Sequence, residues 1–278
     1  MDLYCVMGNP IDHSKSPWIH ARFAELTGQR LHYGKRLVPL NGLATEVNAF
    51  FLRDGHGCNI TVPFKFEAAA LASRSTERAL LARASNLLTL QDGAILADNT
   101  DGVGLIHDVQ ANAGLDMSGR HLLLIGAGGA AAGVLGPLLL ARPASITVAN
   151  RTLAKASALV ARHAPLAALQ QTDLTAQGLF DLKGDFDMVI NATSSSLSGG
   201  VVPVPAGILK PGALAYDMMY GTAAQGFLRW AREHGAVARD GLGMLVEQAA
   251  EAFMIWRGVR PPSRRVLDEL RATMQGLV

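Results

Sequence analysis

Leu122-Leu123-Leu124-Ile125 passes without a break into Gly126-Ala127-Gly128-Gly129-Ala130-Ala131. Four apolar residues in a row read as a buried strand, and G-x-G-x-x-A directly after them reads as a tight turn entering an alanine-rich helix. The glycines permit the turn and let a pyrophosphate approach the backbone. The helix start offers unpaired N–H groups and a partial positive charge. Gly126, Gly128, Gly129 and Ala130 are therefore expected to cradle a dinucleotide. The competing reading is a glycine-rich packing turn.

The next strand, Ile146 to Ala149, runs into Asn150-Arg151-Thr152. A site for NAD usually carries Asp or Glu here, to accept from the ribose 2′-hydroxyl. No acid is present. Arg151 can grip a 2′-phosphate through its planar fork, Asn150 and Thr152 can donate to it, and Lys155 can add charge one helical turn later. The expected cofactor is NADP. The plainer reading is a solvated arginine at a strand end.

The rest of the chain repeats the alternation of strand and helix. Asp2 to Met7 reads as a buried strand, and Ser16 as the N-cap of a helix with Pro17 in its first position, running to Gly28. Strands are expected at Leu31–Leu37 and Gly57–Val62, with helices over Leu43–Arg53, from Lys65, and over Glu77–Ala84. Leu87–Leu90 and Ala94–Ala97 form a hairpin around Asp92-Gly93. A helix from Asn99-Thr100-Asp101-Gly102 to Ala113 leads into the glycine turn. Further strands are expected at Met188–Asn191 and Ala213–Asp217, and helices over Met244–Arg257 and Ser263–Met274. This pattern predicts an α/β fold with mostly parallel sheets. One local conflict stands inside it: Gly136-Pro137 falls in the helix after the glycine turn, where proline costs about 3 kcal/mol. A kink or an early end is expected there.

Composition narrows the partners. The 278 residues suggest two domains, or one large one, at roughly 100–200 residues per domain. A net charge of +2 without a basic block argues against nucleic acid. The longest apolar stretch, 122–140, is broken by glycines and Pro137, so no membrane span is expected. Neither a leader peptide nor a metal site is expected: Asp2 arrives at once, and Cys5 and Cys58 lie in no CxxC pair. Both cysteines read as reduced packing residues, in keeping with a cytoplasmic protein.

Several polar residues stand out from these apolar elements. Ser14 and Ser16 place two hydroxyls beside a helix start, an arrangement that suits a carboxylate, although capping alone explains Ser16. Asn59 and Thr61 share one face of their strand, as a ligand face or as a satisfied core network. Lys65 follows at the strand-to-helix turn, where open α/β sheets place their clefts, although most lysines are simply solvated. Asn86 sits among apolar residues, and Asp101 opens a helix, where simple capping is the plain alternative.

The segments Gly8-Asn9-Pro10 with Ser14-Lys15-Ser16-Pro17, Thr61-Val62-Pro63-Phe64-Lys65, Asp98-Asn99-Thr100-Asp101-Gly102, Gly126 to Ala131, Asn150-Arg151-Thr152, Asn191-Ala192-Thr193-Ser194 and Asp240-Gly241-Leu242-Gly243-Met244-Leu245 with Gln248-Ala249-Ala250 occur in this order along almost the whole chain. Together they resemble the signature of the shikimate dehydrogenase family. The resemblance implies a substrate domain over residues 1–103, a Rossmann-type NADP domain over 104–239, and C-terminal helices over 240–278 that return to the substrate domain. It implies that Lys65 and Asp101 are the catalytic pair, and that Ser14 and Ser16 hold a substrate carboxylate with help from Tyr220. It also implies that Thr61, Asn86, Asp101 and Gln248 bind ring hydroxyls, and that Thr193, Gly243 and Met244 border the nicotinamide. Two departures are visible. Asn86-Leu87-Leu88 stands where the family has Asn-Thr-Leu, and Ser195-Ser196-Leu197 stands where a glycine is common.

The reaction so implied is the reversible, NADP-dependent reduction of 3-dehydroshikimate to shikimate, in the pathway to chorismate and the aromatic amino acids, by a monomer or homodimer. Lys65 would supply both a proton and a nearby positive charge to the developing alkoxide. Rival readings are a quinate/shikimate or aminoshikimate dehydrogenase, a non-catalytic NADP-binding sensor on the same scaffold, and a scaffold protein without ligand. The last leaves the glycine turn and the polar set unexplained.

Overall fold

A computed structural model describes residues 1–193, 204–205 and 207–276. The departure at Ser195-Ser196-Leu197, and Ser194 before it, lie outside the described residues. The chain forms two compact units, Met1–Gly104 with Leu245–Val278, and Leu105–Met244.

The first unit begins with β1 (Asp2–Gly8), α1 (Ser16–Thr27), β2 (Leu31–Leu37), α2 (Leu43–Phe51), β3 (Gly55–Ile60), α3 (Lys65–Leu71), β4 (Arg74–Ser75), α4 (Glu77–Ala82), β5 (Leu87–Gln91) and β6 (Ala94–Asp98). Its sheet has the order β2-β1-β3-β5-β6-β4. The pairs β1/β2, β1/β3 and β4/β6 are parallel, while β5 runs against both β3 and β6. The hairpin at Asp92-Gly93 explains the exception, because a short turn can only join antiparallel neighbours. Met7, Val38, Leu43, Val47, Phe50, Cys58, Ile60 and Leu88 build the core. Cys5 and Cys58 are register partners on β1 and β3, and both are free thiols.

Besides shifts of one or two residues, such as β3 at Gly55–Ile60 rather than Gly57–Val62, two features differ from expectation here. Lys15, not Ser16, caps α1, and Ser16 is its first helical residue. The Lys15 backbone is already near-helical, at φ −92° and ψ −4°, so the turn begins one residue early. Instead of capping, Ser14 Oγ accepts the Ser16 N–H at 3.3 Å. The helix expected from Asn99 to Ala113 is in two parts: α5 (Asp101–His107), then a turn of π-helix over Asp108–Asn112.

In the second unit follow β7 (His121–Ile125), α6 (Gly129–Leu140), β8 (Ser145–Asn150), α7 (Leu153–Leu169), β9 (Asp173–Gly178), β10 (Phe186–Asn191), β11 (Leu209–Asp217), α8 (Gln225–Glu233) and β12 (Val237–Arg239). Their order is β12-β11-β10-β7-β8-β9, and every pairing is parallel. This is the doubly wound arrangement, with the strand order reversing between β7 and β10. Pro137 does not end α6, which continues to Leu140. Val134, Leu135, Leu138 and Leu139 are fully buried, and that packing outweighs the lost backbone hydrogen bond. Leu123, Ile125, Val189, Ala215 and Phe227 share one core cluster.

The chain returns to the first unit within α9 (Leu242–Arg257) and ends in α10 (Ser263–Met274). There Phe253 packs edge-on against Phe23, and Arg22 forks onto Glu269 at 2.7 and 2.9 Å. No helix of the described residues is long and apolar enough to cross a membrane.

Candidate active site

In the first unit, Lys65 opens α3 and Asp101 opens α5, so both project from helix starts that follow strand ends. Lys65 Nζ donates to Asp101 Oδ2 at 2.5 Å, with the side chains 13% and 6% exposed. The other carboxylate oxygen accepts from Asn86 Nδ2 at 2.9 Å. Asn86 is a hub. Its amide nitrogen also lies 2.9 Å from Thr100 Oγ1 and 3.2 Å from Gln248 Oε1, while its oxygen takes the Thr100 N–H at 2.8 Å. Gln248 Nε2 donates to Leu245 O, which fixes the amide on α9. Asn86, Thr100, Asp101 and Gln248 are all buried. A wall of polar groups satisfied by one another holds its geometry without a ligand, which lowers the reorganisation cost of catalysis.

Behind this wall Arg78 forks onto Asp98 at 2.6 and 2.7 Å and reaches Glu251 at 3.4 Å. Burial opposes ionisation of Asp98, but hydrogen bonds from Arg78 and Thr76 outweigh it and hold the carboxyl below its usual range. Asp98 Oδ1 in turn takes the Asn99 N–H, and Asn99 Oδ1 takes the Asp101 N–H. Side chains therefore fix the backbone that carries Asp101.

Ser16 is buried. Tyr33 donates to Asn59 Oδ1 at 2.7 Å, and Asn59 donates to Asn86 O at 3.2 Å. Asn59 thus belongs to a satisfied core network, whereas Thr61 is half-buried, with its methyl group over Gly8. Lys65, Asp101, Asn86, Gln248, Thr61, Ser14 and Ser16 all belong to this unit, while Tyr220, Thr193, Gly243 and Met244 belong to the other.

In the second unit the turn after β7 meets the demands of a dinucleotide. Gly126 has φ +113°, and a Cβ on it would stand 3.2 Å from Ala192 O, the backbone that follows β10. A Cβ on Gly128 would meet nothing within 4 Å, so the space above it is open to a ligand. Gly128 caps α6 without a side chain, and the first turn carries no acid. The N–H groups there are left for an anion. At the end of β8, Arg151 is exposed and Asn150 Nδ2 donates to Thr152 O at 2.9 Å, so one of its two N–H groups is already used by its own turn. Thr193 donates to Asn191 Oδ1 at 2.8 Å, orienting the loop after β10. These residues fit a phosphorylated dinucleotide.

The sequence reading gave no role to Thr100, Arg78, Asp108, Tyr216 or Arg239. The one available signal was a charge within an apolar run, as at Leu105-Ile106-His107-Asp108-Val109. Such a charge needs a partner, but its spacing does not say which.

Known proteins resemble this chain over almost its whole length. The family model "Shikimate dehydrogenase substrate binding domain" matches residues 6–88, "Shikimate / quinate 5-dehydrogenase" matches 108–198, and "Shikimate 5′-dehydrogenase C-terminal domain" matches 241–271. A shikimate dehydrogenase (NADP(+)) of Acidovorax sp. (strain JS42) is 65% identical over 98% of this chain and 97% of its own. The crystal structure of an Ael1 enzyme from Pseudomonas putida superposes with a TM-score of 0.86 at 47% identity, covering 97% of this chain and 98% of that one. Shikimate 5-dehydrogenase from Thermus thermophilus, solved with NADP(H) and shikimate, gives a TM-score of 0.84 at 28% identity, covering 98% and 99%.

Proposed function

This chain belongs to the shikimate dehydrogenase family, and from that membership we propose that it catalyses the reversible NADP-dependent reduction of 3-dehydroshikimate to shikimate. The observation that carries the reading is the ammonium of Lys65 held at 2.5 Å on a carboxylate that is itself anchored by Asn86. Bound NADPH supplies hydride to the C3 carbonyl carbon. Lys65 moves a proton from Nζ to the carbonyl oxygen as negative charge develops there. Asp101 aims that ammonium and takes a ring hydroxyl, and Thr61, Asn86 and Gln248 hold the remaining hydroxyls. Ser14 and Ser16, with Tyr220, take the substrate carboxylate.

On the cofactor side Gly126, Gly128, Gly129 and Ala130 receive the pyrophosphate, while Asn150, Arg151, Thr152 and Lys155 receive the 2′-phosphate. Thr193, Gly243 and Met244 border the nicotinamide. In this reading residues 1–103 and 240–278 serve the substrate and 104–239 the cofactor. The protein works in the cytoplasm as a monomer or homodimer, with its two buried free thiols kept reduced.

Absorbance at the NADPH band, followed with shikimate and with quinate under NADP⁺ and under NAD⁺, tests the activity. Turnover of shikimate with NADP⁺ supports it, and no turnover of either substrate sinks it. The quinate arm is included because the family model over 108–198 is shared by both activities.

A further inference from the structure

Asp108 is fully buried in the second unit, at the first residue of the π-helical turn. Four donor contacts converge on it. Arg239 reaches it twice, Nη2 to Oδ1 at 2.6 Å and Nε to Oδ2 at 2.9 Å. Tyr216 Oη donates to Oδ2 at 2.8 Å and Asn112 Nδ2 to Oδ1 at 3.0 Å. A buried ion pair is a poor source of net stability but very costly to break, and π-helical turns recur at functional sites. The carboxylate is also packed against a specific stretch of backbone. A Cβ on Gly243 would land 1.8 Å from Asp108 Oδ1, so the oxygen lies where any other residue would have a side chain.

The Tyr216 phenol gives its proton to Asp108. Burial, reinforced by the neighbouring Asp108, raises the phenol pKa well above its ordinary value, so the donor stays protonated. Just upstream of Gly243, the Gly241 N–H donates to Met219 O at 2.9 Å, and a Cβ on Gly241 would stand 2.3 Å from Met218 O. The backbone at Gly241 and at Gly243 is thus hemmed in closely by its neighbours.

We propose that Asp108, Tyr216 and Arg239 are positioning residues that set the Gly243–Met244 backbone, and through it the nicotinamide end of bound NADP. This rests on the reading above that Gly243 and Met244 border the nicotinamide. Arg151 and its neighbours serve the phosphate end, so the two groups of residues control separate properties: the placement of the reacting carbon and the tightness of adenosine-phosphate binding. Misplacing a reacting group by about 1 Å can cost about 10²-fold in rate.

The test compares wild type with Tyr216→Phe, which keeps the ring and removes the hydroxyl, and with Arg239→Lys, which keeps the charge and removes the fork. Each is assayed for kcat with 3-dehydroshikimate and for the isotope effect with 4-deuterated NADPH. Affinity is measured for NADPH and for adenosine 2′,5′-bisphosphate, which lacks the nicotinamide. The expected signature is a loss of kcat of about 10-fold, within the range that misplacement produces, with a larger isotope effect. NADPH should weaken while the bisphosphate stays unchanged. An unchanged kcat and affinity ratio, or equal weakening of both ligands, overturns the positioning role. If wild type binds NADPH but does not reduce 3-dehydroshikimate, the proposed function fails, and the affinity ratio still decides this one.

Discussion

Lys65 and Asp101, 36 positions apart in sequence, meet through a 2.5 Å hydrogen bond in which the ammonium is held by one carboxylate oxygen while Asn86 occupies the other. The carboxylate can therefore turn only by breaking a buried hydrogen bond. General acid catalysis by a positioned side chain is typically worth ~10²–10⁴-fold, and Lys65→Ala is expected to reduce kcat by a factor of that order, with KM for 3-dehydroshikimate changing less. Steady-state kinetics at the NADPH band decide it. Near-normal turnover in the alanine variant would remove Lys65 from the chemistry.

Asn86→Asp tests the hub. The new carboxylate would face Asp101 Oδ1, now 2.9 Å from the Asn86 amide nitrogen, and replace a donor by a like charge. An unmade buried hydrogen bond costs about 1–3 kcal/mol and like charge adds to it. A loss of stability at or above the upper end of that range is expected in urea unfolding at neutral pH, recovering as pH falls and one of the two acids protonates. A variant as stable as wild type at pH 7 contradicts the arrangement.

Arg151→Ala tests the choice of cofactor. Arg151 is exposed at the end of a strand that carries no acid to repel a 2′-phosphate. A charge-assisted contact contributes about 1.5–3 kcal/mol, or roughly 10–150-fold in affinity. The variant should lose that factor for NADPH and little for NADH, measured by fluorescence titration. Equal losses for the two cofactors would place the phosphate elsewhere.

His20 predicts an acid limb in stability. Its ring stacks on Tyr33 with centroids 4.1 Å apart, and among the described residues neither ring nitrogen has a hydrogen-bond partner. Phe23, Phe253 and Trp256 complete its surroundings. Burial pulls the imidazole pKa down to about 3. The unfolded chain protonates this histidine near ~6.5, so below that pH the unfolded state binds more protons. Stability is therefore full above pH ~6.5 and falls by up to about 1.4 kcal/mol per pH unit as the pH drops toward the folded value. Relative to wild type, His20→Leu should show a shallower loss between pH 7.5 and 5.0 in urea unfolding. Parallel pH profiles would rule the histidine out as the source.

Much of the cofactor side was legible because its chemistry is local. Strand, turn and helix are contiguous from Leu122 to Leu140, and the residue that selects the dinucleotide lies at the end of the next strand. Lys65 gained its role from the family resemblance, its place at a strand-to-helix turn being equally open to a solvated lysine. The same holds for Asp101: nothing in its spacing separates capping from ion pairing. The Ser16 cap and the early end of the helix at Pro137 were set aside where a local rule met a wider context. Serine favours N-caps, yet the Lys15 backbone turned first; proline disfavours helix interiors, yet buried neighbours carried α6 through Pro137.

The amino-acid order alone determined the α/β alternation, the glycine turn and the absence of an acid near Arg151, because each depends on residues within a few positions of one another. Only the tertiary structure decided that Asn86 joins Gln248 across 162 positions, and that Asp108 finds Arg239 across 131. Those pairings follow from the order in which strands stack and from which side chains lose their water. Burial makes an unpaired polar group expensive, so the fold as a whole, not any short stretch of it, selects the partner.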